Sequence, residues 1–100
     1  AWAAARVLPD GVDPRLGIFS QIGSIALNAI LDADIHLGET VAVFGQGVPG
    51  LMVTELAALS GATVIAVDRL PARLARATDH GARHVVNGAE EDAALRVKAL

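Results

Sequence analysis

One hundred residues, 53% hydrophobic, allow one small unit or a piece of a larger one. Eleven acidic residues against eight basic give a net charge of −3, and only 3% are aromatic; this excludes the basic face and the stacking rings of a nucleic-acid binder. The absence of cysteine excludes disulfides and thiolate metal sites, and fits a cytoplasmic chain.

Residues 1–8 read as a short strand or an extended lead-in, and Trp2 carries no assignment. Pro9-Asp10-Gly11 is a turn by its own chemistry, and Asp13-Pro14 is a second extended or turn pair. A helix is predicted over residues 16–33, where Ile18, Ile22, Ile25 and Ala29 recur at helical spacing, and Ile18, Ile22 and Ile25 are expected in a core. Asp32 and Asp34 oppose the helix dipole, so the end should fray. His36 falls in a solvated turn. The longest uncharged runs, residues 16–31 and 40–54, fall short of the ~20 apolar residues a membrane span needs.

Beyond Gly38 the pattern changes. Residues 41–44 are a short continuous apolar run, as in a strand buried on both faces. A glycine-rich segment, Gly45-Gln-Gly-Val-Pro-Gly50, leads into a helix to about Ser60, with Gly61 as its stop. Residues 63–67 form a second β-branched run that ends in Asp68. A helix from Pro71 closes at Gly81, residues 84–87 make a third strand, and residues 90–100 make a last helix. Strands alternating with helices imply parallel pairing through right-handed crossovers. The fold class is therefore α/β: a partial Rossmann-type doubly wound parallel sheet of about three strands, order 3-2-1, preceded by a helix. Arg73, Arg76 and Arg83 read as a solvated basic face. His80 and His84 fall on a helix end and a strand rather than on one metal-binding face.

The chemistry lies in Gly45-x-Gly47-x-x-Gly50. It follows a predicted strand, opens a predicted helix and is followed by Asp68, 18 residues past Gly50. In that context the glycines form a dinucleotide fingerprint. Gly45 permits the tight exit from the strand, Gly47 lets the backbone approach a pyrophosphate, and Gly50 lets the helix pack closely. The first-turn N–H groups and the positive helix end hold phosphate oxygens, and Pro49 is tolerated there because it has no N–H to lose. Asp68 would accept hydrogen bonds from the adenosine ribose and repel a 2′-phosphate, which selects NAD over NADP; Arg69, which could accept that phosphate, opposes the choice. Two other readings stand beside this one. The loop could be a plain strand-to-helix turn in a structural or nucleotide-binding module, or an S-adenosylmethionine site in a methyltransferase fragment.

Residues 20–88 resemble the cofactor-binding segment of the medium-chain, largely zinc-dependent alcohol dehydrogenases. The matching text is Leu37-Gly-Glu-Thr-Val-Ala-Val-Phe-Gly-Gln-Gly-Val-Pro-Gly50, Ser60-Gly-Ala-Thr-Val-Ile-Ala-Val-Asp68, Pro71-Ala-Arg-Leu-Ala75 and Gly81-Ala-Arg-His-Val-Val-Asn87. The helix through Ile25-Ala-Leu-Asn-Ala29 is similar to the one joining the catalytic and cofactor domains. The resemblance implies residues 1–37 as the end of a catalytic domain with its linking helix, and 38–100 as the first βαβαβ half of a dinucleotide-binding domain. It implies NAD-dependent hydride transfer to or from an alcohol or polyol in a parent enzyme, with this chain alone inactive. The cofactor set it implies is Gly45, Gln46, Gly47, Val48, Pro49, Gly50, Asp68, Arg69 and Arg73, the last touching the adenosine ribose. Pro49 would sit behind the nicotinamide, with Ser24 near it. A parent enzyme could hold zinc, but the positions that often supply a ligand are Ser20 and Gln21 here, and neither is a good one. The implied partner is a small-molecule substrate, with no nucleic acid or membrane, in a homo-oligomer.

Overall fold

A computed structural model describes residues 5–100. Trp2 and the first half of the lead-in lie outside the described residues. Residues 5–8 carry no strand, so there the lead-in is extended coil.

The helix expected over residues 16–33 is two helices. Helix α1, Pro14–Gly17, is a single turn started by Asp13, whose carboxylate accepts from the Arg15 backbone N–H. Helix α2, Ser20–Asp32, follows after a break. Gly17 is a poor helix former, and a Cβ there would strike the Leu8 methyl groups, 2.7 Å away. The lead-in therefore packs where a continuous helix would carry a side chain. The far end stops near the expected place: Asp34 takes a left-handed conformation at φ 51°, which aspartate tolerates better than most residues.

Three parallel strands follow: β1, Thr40–Phe44; β2, Thr63–Asp68; and β3, His84–Asn87. They lie in the order β1-β2-β3, with Val43 opposite Ala66 and Ala66 opposite Val85. Helices α3, Val48–Leu59, and α4, Pro71–Asp79, make the crossovers. The last helix, α5, runs Ala93–Ala99 rather than from residue 90. Asp92 caps it by accepting from the Leu95 N–H, while Glu90 and Glu91 donate to the Asn87 carbonyl in a turn.

Strand alternation then sorts the core. Val64 and Ala66 of β2 face one side, where Val64 packs with Ala57 and Ile30, and Ala66 packs with Ala77 and Ala82. Ile65 and Val67 face the other, against Val86 and the α5 residues Ala93 and Val97. Both faces of β2 are thus covered, as its unbroken apolar run requires. The alanines let helices approach closely: a Cβ at Gly81 would sit 2.8 Å from that of Ala58. Helix α2 packs on α3 through buried Ala26 and Ile30, whereas Ile18 and Ile25, expected inside, are exposed.

Candidate functional site

The carboxyl ends of the three strands open onto a crevice of about 720 Å³. Phe44, Gly45, Asp68, Arg69, Arg73 and Ala89 are among the residues that line it. In an open parallel sheet this edge is where strand-to-helix loops converge and ligands bind.

The first loop is built to a tight plan. Gly45 ends the β1–β2 ladder by donating to the Val67 carbonyl at 2.7 Å, then turns at φ 89°, a conformation that favours glycine. A Cβ on Gly50 would run into the Gly45 carbonyl oxygen, so α3 can start close against the loop only with glycine there. Gly47 differs. It is extended (φ −69°, ψ −172°), and a Cβ on it would meet only an Arg73 guanidinium nitrogen at 3.9 Å. The fold does not demand glycine at that position. Among the described residues, nothing accepts from the Gly47, Val48 and Gly50 N–H groups, so they point forward at the positive end of α3.

Asp68 ends β2 directly beside this loop. Its side chain is 8% exposed. One oxygen, Oδ2, accepts from the Gln46 backbone N–H at 2.7 Å, and Oδ1 accepts from the N–H groups of Arg69 at 2.7 Å and Leu70 at 2.9 Å. These bonds, the one from Gln46 foremost, hold the carboxyl below its ordinary value against the opposing effect of partial burial, and Arg73 adds a smaller push the same way. The Arg73 guanidinium lies 3.9 Å from Oδ2. The arrangement offers a fixed anion beside a bank of forward-pointing N–H groups, with two arginines at the rim.

Of the residues singled out from the sequence, Gly45, Asp68, Arg69 and Arg73 line the crevice, and Gly47, Val48, Pro49 and Gly50 form the loop and first turn behind it. Gln46 belongs to the loop, but its side chain is buried and turned inward. Ser24 is not brought to the crevice. It lies on α2, donates to the Ser20 carbonyl, and lines a second pocket with Arg6, Ser20 and Gln21. Phe44, Val67, Leu70, Gly88, Ala89 and Ala93 complete the crevice wall without having been singled out. For Gly88 and Ala89, being small residues straight after a third strand is the only signal. No group of three or more metal-ligating side chains occurs among the described residues, and His80 pairs with Glu55 at 3.2 Å.

Comparison with known proteins is consistent with this geometry. The zinc-binding dehydrogenase family model matches residues 49–100. Sorbitol dehydrogenase of Bacillus subtilis is 32% identical over 95 residues, covering 94% of this chain and 27% of that protein. The alcohol dehydrogenase TADH of Thermus sp. ATN1 superposes with a TM-score of 0.86 at 38% identity, over 94% of this chain and 28% of that one. A zinc-binding dehydrogenase of Sinorhizobium meliloti, bound to NADP, superposes at 0.82 with 35% identity, over 85% of this chain and 25% of that one. The chain thus spans about a quarter of the length of the relatives it matches. With a Rossmann-type half-sheet, the glycine loop and these matches in place, the chain belongs to the medium-chain, zinc-type alcohol dehydrogenase family.

Proposed function

We propose that this chain binds the adenosine and pyrophosphate of NAD(H), within an enzyme that moves hydride between an alcohol or polyol and the nicotinamide. The observation that carries the proposal is the Asp68 carboxylate, ionised and fixed at the crevice lip beside the loop that begins at Gly45. A ribose hydroxyl would donate to the one lone pair left on Oδ2, and a 2′-phosphate would meet the negative charge; this favours NAD over NADP. The residues present fit the group. A Cβ on Gly47 would meet only the Arg73 guanidinium, which leaves room for a ligand there, and the first-turn N–H groups suit a pyrophosphate. Arg69 and Arg73 are placed to screen the phosphates or rest on the sugar.

When bound, the nicotinamide accepts or gives the hydride. The chain's own part is to bind and orient the other end of the molecule. Residues 1–37 would close a substrate-handling domain, and residues 38–100 would be the first half of the dinucleotide domain. The described residues offer no donor set for zinc, and no step here depends on one. A cytoplasmic, self-associating enzyme with a small-molecule substrate completes the proposal.

The whole protein, given NAD or NADP with a panel of secondary alcohols and polyols, tests this by the near-ultraviolet absorbance of reduced nicotinamide. Turnover is expected with NAD in preference to NADP. Equal turnover with both, or NADP alone, would contradict the role given to Asp68.

A further inference from the structure

Two polar side chains lie buried behind the glycine loop. Gln46 is 3% exposed, and Thr54, in the middle of α3, is fully buried. Thr54 Oγ1 donates to Gln46 Oε1 at 2.9 Å, and Gln46 Nε2 donates to the Val43 carbonyl at 3.0 Å. The amide thereby ties the end of β1 to the interior of α3. The backbone N–H of the same Gln46 donates to Asp68 Oδ2. One connected path runs from a helix-core hydroxyl, through a buried amide, to the carboxylate at the crevice lip.

Neither Thr54 nor the Gln46 amide lines the crevice. An apolar pair of the same shape would fill this space at no loss of stability, since each buried polar group must first give up its water. What the polar pair adds is direction. Gln46 follows a glycine in the left-handed region and precedes another glycine. With its amide clamped at both ends, the Gln46 peptide has one orientation, and its N–H has one target.

We propose that Thr54 is a positioning residue for nucleotide choice. Acting through Gln46, it holds the peptide N–H that occupies one side of Asp68 Oδ2, so that this oxygen presents its one free lone pair to a ribose hydroxyl and the carboxylate excludes a 2′-phosphate. The inference rests on the dinucleotide reading above. It adds a residue that touches no part of the ligand.

The test is fluorescence titration of the whole protein with NADH and NADPH, for wild type, Thr54→Val and Thr54→Ser, alongside thermal unfolding. Thr54→Val removes the hydroxyl and should lower NADH affinity roughly fivefold to tenfold, the loss of about one hydrogen bond's worth of preorganisation, with a smaller change for NADPH. Thr54→Ser keeps the donor and should restore most of the NADH preference. If Thr54→Val does not fold, Gln46→Met removes the same clamp from the loop side and is read in the same way. An unchanged NADH-to-NADPH ratio with a lowered unfolding temperature would overturn the positioning role, as would failure of serine to restore the ratio. A wild-type protein that binds neither nucleotide would overturn the dinucleotide reading itself, and this role with it.

Discussion

Gly47 and Gly50 share one motif but answer to different constraints. Gly50 is needed by the fold, because a side chain there would collide with the Gly45 carbonyl. Gly47 has ordinary dihedrals and room for a methyl group, so its reason lies outside the chain, in whatever approaches the loop. Gly50→Ala should therefore destabilise by about 1–3 kcal/mol in denaturant titration. Gly47→Ala should leave stability within about 0.5 kcal/mol yet weaken NADH binding by roughly tenfold or more. Equal effects of the two substitutions on stability would dissolve the distinction. Asp68 carries a second expectation. Its native carboxyl value is lowered, first by the Gln46 N–H, so between that value and the ordinary ~3.9 the unfolded chain binds the extra proton. Stability from this group is thus complete above about pH 4 and is lost as the pH falls through the lowered native value. The stability gap between wild type and Asp68→Asn should hold from pH 7 to about 4 and close below that. A wild type that gains stability over Asp68→Asn as the pH falls from 7 to 4 would show a raised native carboxyl and contradict this. The glycines and Asp68 were legible in the sequence because spacing alone places them. The Gln46–Thr54 pair was not, since a polar residue eight positions on within an apolar helix points to no partner until the helix is docked.

At the level of elements, hydrophobic pattern carried most of the information. The β-branched runs at β2 and β3 and the stops at Gly61 and Gly81 lie where periodicity and turn chemistry put them. The misplaced boundaries have tertiary or capping causes. The lead-in Leu8 takes the space beside Gly17 and splits the first helix, and the Asp92 cap outcompetes Glu90 as the start of α5. Strand β1 is at the sheet edge. Gly45 and Glu39 bond toward β2, so alternation turns the backbone groups of Thr40, Ala42 and Phe44 to the open side, where Phe44 is 65% exposed. Such an edge is open to pairing with another strand. The 100-residue chain made alone should self-associate with rising concentration in sedimentation velocity, and lysine in place of the exposed Thr40 (Thr40→Lys) should suppress this. A chain that stays monomeric over the whole range would mean the edge is protected in another way.

Across the molecule, one strand geometry both builds the core and forms the crevice. Covering β2 on both faces fixes its carboxyl end, and that end carries Asp68 beside the loop from β1. The second pocket, where α2 places Ser20, Gln21 and Ser24, stands apart from this crevice. Its link to the first would need the remainder of a fold of which this chain spans about a quarter. Sequence could not show that separation, because the distance between α2 and the glycine loop is fixed only when α2 docks on α3. The proposed nucleotide preference rests on whether the Asp68 carboxylate tells two sugars apart. Its most direct measurement is the dissociation constants of NADH and NADPH for wild type and Asp68→Ala in the whole protein. The substitution should cost NADH about 1–3 kcal/mol and NADPH much less, narrowing the preference. Equal losses for the two nucleotides, or none for either, would contradict the account.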